Sequence, residues 1–101
     1  MRMLVNITIP NEKFNNMMKK GNAGATLGKI IESTNPEFIY FTEHDGYRGA
    51  VMAVDVKDAS HIPSIVEPWF LSFDAECNFK IAMSPQDLQN SDLDNLAKGW
   101  T

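Results

Sequence analysis

EFIYFTEHDGYRGAVMAVDV, residues Glu37 to Val56, holds two β-rich runs on either side of Asp45-Gly46. Asp-Gly suits a two-residue type I′ turn, because both central residues need positive φ and the turn then matches the twist of the strands. With the turn fixed there, His44 faces Tyr47, Glu43 faces Arg48, Phe41 faces Ala50 and Ile39 faces Met52. Side chains alternate between faces along a strand. One face therefore carries Ile39, Phe41, Ala50, Met52 and Val54, with Glu43 and Arg48 expected as a cross-strand ion pair near the tip. The other carries Phe38, Tyr40, Thr42, His44, Tyr47, Gly49, Val51 and Ala53. Neither face is polar enough to read as one made for water. A sheet in a chain this short ordinarily has one covered and one wet face. Here both need cover.

The flanking segments supply the rest of a domain. Met3 to Ile9 alternates, with Met3, Val5, Ile7 and Ile9 on one side and Leu4, Asn6 and Thr8 on the other, which predicts a strand closed by Pro10. Asn11 to Lys20 predicts a short helix using Phe14, Met17 and Met18. Gly21 to Gly24 predicts a break, since glycine is costly within a helix. A glycine-rich break can cradle phosphate, but the P-loop lysine pattern and the G-x-G-x-x-G spacing are absent, so it reads as a kink or loop. A further helical piece is expected over Ala25 to Ser33, stopped by Asn35-Pro36. After the hairpin, Asp58 or Ser60 can cap a helix with Pro63 in its first turn. Ile62, Ile65, Val66, Trp69 and Phe70 give it a buried stripe, and Pro68 predicts a kink or a restart near Glu67. Asp74 to Met83 alternates again, with Ala75, Cys77, Phe79, Ile81 and Met83 opposite Glu76, Asn78, Lys80 and Ala82. Ser84-Pro85-Gln86-Asp87 is a helix start of the capping-box type, opening a C-terminal helical tail over 84–101. Trp100 is expected to pack.

This order is β-α-β-β-α-β, which predicts an α+β, ferredoxin-like domain spanning 1–101. It is a four-stranded antiparallel sheet of order 4-1-3-2 with the helices on one face. The clean apolar sets of all four strands go to the helices: Val5 and Ile7, Ile39 and Phe41, Met52 and Val54, Cys77 and Phe79. The opposite face collects Leu4, Asn6, Thr8, Phe38, Tyr40, Thr42, His44, Tyr47, Val51, Glu76, Asn78 and Lys80. It is too aromatic for water and too polar for a dry core. The plainer reading is a surface with a few exposed apolar residues, but contiguous apolar patches of this kind mark interaction surfaces, so a second copy stacked on the face is expected, leaving a partly polar cavity between the two.

Composition removes several alternatives. The chain has 101 residues, 44% of them hydrophobic, enough for one modest core. Its net charge is −4 with no basic run, which disfavours nucleic-acid binding through phosphate contacts. No apolar run approaches a membrane span. MRMLVNITIP is too short and too quickly polar for a signal peptide. The single cysteine, Cys77, excludes a disulfide framework and suits a reducing compartment, so a cytoplasmic location is expected.

Glu67-Pro68-Trp69-Phe70-Leu71 and the later Met83-Ser84-Pro85-Gln86-Asp87-Leu88 resemble the E-P-W/L-F-L and M-x-P-x-D-L elements of a family of small, uncharacterised bacterial proteins. The Asp45-Gly46 turn and Ile62-Pro63 fit the same pattern, and the match covers the last two thirds of the chain. The fold is similar to that of the dimeric α/β barrels, such as muconolactone isomerases and cofactor-independent quinone-forming monooxygenases. That resemblance implies the fold and the dimer, but no catalytic residue transfers, because the motifs of those enzymes are not matched here.

The cavity face yields the expected ligand-binding set: Asn6, Thr8, Phe38, Tyr40, Thr42, His44, Tyr47 and Asn78. Aromatic walls with a few hydrogen-bonding groups suit a small, aromatic molecule, and no cofactor is expected. The alternative reading is a cofactor-independent isomerase or monooxygenase with His44 as general base beside Asp45 and Tyr47. The plainer reading gives Asp45 to the turn and His44 to a cross-strand pair with Tyr47. His61 reads as a surface residue at a helix start. No H-x-H, H-x-x-x-H or C-x-x-C spacing supports a metal site. Glu67 stands among apolar residues and is expected to be paired or to cap backbone N–H groups; the alternative is a functional acid. Cys77 falls in the helix-facing set and reads as core.

Overall fold

Asp45 (φ 51°) and Gly46 (φ 84°) both occupy the left-handed region, as a type I′ turn requires, in a computed structural model describing Met1–Thr101. The turn joins β2 (Phe38–His44) to β3 (Tyr47–Asp55) in the register His44↔Tyr47, Glu43↔Arg48, Phe41↔Ala50 and Ile39↔Met52. Before them come β1 (Arg2–Ile9), α1 (Asn11–Lys20) and α2 (Ala23–Thr34). After them come α3 (Ile62–Phe73), β4 (Glu76–Ala82), α4 (Pro85–Asn90) and α5 (Leu93–Ala97). A 3-10 turn over Ala59–His61 leads into α3, where the Asp58 carboxylate accepts from the Ser60 amide and hydroxyl. A second 3-10 turn, Lys98–Trp100, follows α5.

All strand pairs are antiparallel, and the sheet runs β2-β3-β1-β4. Read from the other edge, the same neighbours are 4-1-3-2. The helices cover the face of Met3, Val5, Ile7, Met52 and Val54, all at most 2% exposed. Trp69 and Phe73 of α3 are fully buried against them, their rings 6.0 Å apart, and Phe14 of α1 lies 5.5 Å from Phe73. The Trp69 indole N–H is buried without a hydrogen-bond partner, so its contribution is apolar contact.

Several expectations need correction. The helix layer covers β1 and β3 but only part of each edge: Ile39 on β2 and Cys77 on β4 pack against the core, whereas Phe41 on β2 is 54% exposed, and Phe79 and Ile81 on β4 are 45% and 52% exposed. An edge strand has a neighbour on one side only, so its helix-facing side chains hang past the layer that shields the centre. Alternation fixes the face of a residue, not its cover. Pro68 does not break α3, which continues to Phe73. The carbonyl it leaves unpaired belongs to Ser64, on the exposed side of the helix. Glu67 is exposed rather than enclosed by apolar groups. The break after α1 is confined to Gly21 and Asn22, and Gly24 lies inside α2. Gly21 (φ 81°) ends α1 in the left-handed conformation, its N–H donating to the Met18 carbonyl at 3.0 Å. Glu43 and Arg48 are opposed but do not form the expected ion pair. Glu43 accepts from the Gly46 N–H at 3.0 Å, while Arg48 lies over the Phe14 ring at 4.6 Å and donates to Asn11.

The C-terminal tail forms but does not pack on its own body. Ser84 and Asp87 make the capping box in both directions at the start of α4. Every residue from 85 to 101 is nonetheless exposed, including Trp100 at 90%, which corrects its expected packing role. The Cα radius of gyration is 17.1 Å and the long dimension 60 Å. A compact chain of this length has a radius of gyration near 13 Å, so the tail projects.

Trp69→Ala is expected to cost about 3–5 kcal/mol, because it empties the centre of the core between the sheet and α3. Urea unfolding followed by circular dichroism checks this; a loss within about 1 kcal/mol would mean the core does not depend on that ring.

Candidate functional site

The sheet face away from the helices is ordered by register into three rows. Phe38, Ala53, Leu4 and Lys80 lie opposite one another across the four strands; then Tyr40, Val51, Asn6 and Asn78; then Thr42, Gly49, Thr8 and Glu76. His44 and Tyr47 close the hairpin end. The face therefore grades from apolar at its base to polar at its tip. Phe38 and Tyr40 stack side by side with ring centroids 5.6 Å apart. Tyr40 is 67% exposed and Tyr47 48%. No element of the chain covers this face.

Gly49 shapes the polar end. It has no side chain where Thr42 and Thr8 flank it, and the gap is a hollow of about 80 Å³ whose lining includes Asn6, Thr8, Thr42, His44 and Asn78. A Cβ at Gly49 would meet the Ile7 carbonyl oxygen at 3.1 Å and the His44 Cβ at 3.4 Å, so the position has no slack. Five of the eight expected ligand-binding residues thus share one hollow. Tyr47 lines an adjoining hollow of about 270 Å³ with Thr8, Pro10, Asp74 and Glu76. Phe38 and Tyr40 line neither and form the apolar flank. Sequence reading placed Gly49 on this face but assigned it no role. Its signal was a glycine inside a strand, which marks a bulge or a close approach. It did not anticipate Asp74 and Glu76 as an acidic wall.

The chemistry available is hydrogen bonding more than acid–base. His44 Nε2 lies 3.6 Å from an Asp45 carboxylate oxygen, and both side chains are largely exposed. That pair stands in water rather than in an enclosed site. Cys77 is half-buried on the helix side of β4, and burial pushes its thiol up to about 11. It stays protonated near neutrality and is a poor nucleophile, in keeping with a packing role. No three His, Cys, Asp or Glu side chains are grouped so as to hold a metal ion. His61 is half-buried with its Nδ1 unpartnered, but it sits before α3, away from this face. No helix is long and apolar enough to cross a membrane.

No family model matches the chain, and no curated protein matches it. Solved structures do. A 5-chloro-2-hydroxyhydroquinone dehydrochlorinase from Burkholderia phenoliruptrix, in complex with 2,5-dihydroxybenzoquinone, is similar with a TM-score of 0.61 at 14% identity, over 85% of this chain and 97% of that one. A Thermus thermophilus protein, TTHA0845, is similar with a TM-score of 0.51 at 18% identity, over 83% of this chain and 96% of its own. At such identities the likeness shows a shared fold.

Because the Cys77 thiol is raised to about 11 from 9.0, its alkylation by iodoacetamide near neutral pH is expected to run on the order of a hundredfold slower than that of an unburied cysteine, and to speed up as the pH approaches 11. Mass spectrometry of the modified chain measures it. Rapid labelling at pH 7 would mean the thiol is open.

Proposed function

We propose that the chain is a homodimeric small-molecule-binding protein whose two sheets face each other and enclose the ligand. The observation that carries this reading is the uncovered face: an apolar base, Phe38, Tyr40, Leu4 and Val51, beside a polar hollow centred on Gly49. A hollow of about 80 Å³ is too small alone, since ordinary ligand sites hold roughly 300–1,000 Å³. A facing copy adds the second wall and doubles the polar groups. It also removes Tyr40 and Phe38 from water, which drives association at about 25 cal/mol per Å² of apolar surface.

Within the cavity, Asn6, Asn78, Thr8 and Thr42 raise hydrogen-bonding groups from the sheet face, while Tyr40 and Phe38 offer ring faces. That combination fits a small planar molecule bearing hydroxyl or carbonyl groups. The dihydroxybenzoquinone bound in the similar dehydrochlorinase belongs to this class, which makes it the natural first probe. A second reading is supported by His44, which lines the hollow and has the Asp45 carboxylate beside it. There the protein is a cofactor-independent isomerase or monooxygenase, and His44 removes a proton from a ring hydroxyl.

Light scattering at low micromolar concentration is expected to give twice the 11.3 kDa chain mass. Val51→Lys, which puts a charge at the centre of the face, is expected to give a folded monomer. A wild-type chain that stays monomeric contradicts the reading. Titration with 2,5-dihydroxybenzoquinone is expected to shift the amide resonances of Asn6, Thr8 and Asn78; shifts confined to other residues would remove the cavity assignment. If turnover of that probe is detected, His44→Ala is expected to lower kcat at least a hundredfold, and an unchanged rate removes the second reading.

A further inference from the structure

The facing-sheet dimer leaves two apolar surfaces of each chain unaccounted for, and they complement each other. One is a groove of about 320 Å³ on the helix side of β2, walled by Phe14, Met18, Leu27 and Phe41 with Arg48 at its lip. The other is the tail. Leu93, Leu96 and Trp100 follow the i, i+3, i+7 spacing of one helical side and are 54%, 55% and 90% exposed. We infer that the tail of each copy crosses to the other copy and seats these residues in its Phe14–Met18–Leu27–Phe41 groove. The inference rests on the facing-sheet reading for the second copy.

Position rules out the chain's own groove. The tail leaves β4 at Ala82, which pairs with Arg2 at the base of the sheet. The groove lies at the other edge and the other end, beside Ile9, Thr42 and Gly49. From β4 the tail would have to cross the whole helix layer to reach it. A two-fold axis between facing sheets, oblique to the strands, lays the tail corner of one copy over the groove corner of its partner. The strands of the two sheets then cross steeply, one of the two preferred packings of sheet on sheet. The tail needs only to turn round the β2 edge.

Charge agrees with this placement. The tail carries Asp87, Asp92 and Asp94 against Lys98 alone. The α1 and α2 segments carry Lys13, Lys19, Lys20 and Lys29 against Glu12 and Glu32, and Arg48 stands at the groove. An acidic strap meeting Arg48 and the net-basic α1 and α2 segments favours docking. An isologous exchange uses both tails and both grooves, so nothing is left over to grow a chain of copies.

The test uses full-length chains in a Cys77→Ser background, one bearing Leu96→Cys and the other Met18→Cys. Mixed and mildly oxidised, they are expected to form a disulfide between the two chains at least tenfold faster than a control pair of Leu96→Cys with Leu71→Cys, on the outer side of α3. A rate no better than the control overturns the inference. So does a chain carrying both cysteines that closes only on itself while staying monomeric. The surface double variant Leu93→Ser, Leu96→Ser is expected to raise the dimer dissociation constant at least tenfold; an unchanged constant also overturns the inference. If the wild type is dimeric with no cross-link preference, the tail placement fails while the facing sheets stand. If the cross-link forms but Val51→Lys leaves the dimer intact, the facing sheets fail while the tail contact stands.

Discussion

A four-stranded sheet has two faces, and this chain has helices for only one of them. That mismatch governs the architecture. Three helices bury the Met3–Ile9 side, and Trp69 and Phe73 fill the space beneath them. The reverse side leaves Tyr40 67% and Phe38 38% exposed, with Leu4 and Val51 half-buried beside them. Apolar surface of this extent costs free energy in water in proportion to its area. The same face holds Asn6, Thr8, Thr42 and Asn78 around the gap at Gly49, and a dry core would not tolerate them without partners. A surface that needs cover but cannot be packed solid suits a cavity.

The hairpin was legible because its information is local. Asp45-Gly46 pins the turn, the turn pins the register, and a period of two then assigns every side chain from Phe38 to Val54 to a face. The capping box at Ser84 and Asp87 was legible for the same reason: all its partners lie within four residues. Five site residues fell into one hollow because they share a face and neighbouring rows. Gly49, which makes the hollow, was missed because its effect is an absence of side chain, seen only once Thr8 and Thr42 are set on either side of it.

What the sequence left unread depends on contacts between distant elements. Alternation put Phe41, Phe79 and Ile81 on the helix side, but the reach of the helix layer decides whether they are buried. Arg48 abandons Glu43 for the Phe14 ring and Asn11, a competition invisible along the hairpin. Glu67 looked enclosed because its sequence neighbours are apolar. On a helix, however, the residue between Val66 and Pro68 points its own way, here outward. The leucines and tryptophan of the tail announce an amphipathic strap without naming its surface.

The central claim is that the Tyr40–Val51–Asn6–Asn78 row is buried against its own copy. Isotope-filtered nuclear Overhauser spectroscopy on a mixture of labelled and unlabelled chains tests it most directly. Intermolecular contacts involving Tyr40, Val51 and Leu4 across the two-fold axis are expected. Their absence, together with strong broadening of the same residues by a soluble paramagnetic agent, would contradict it.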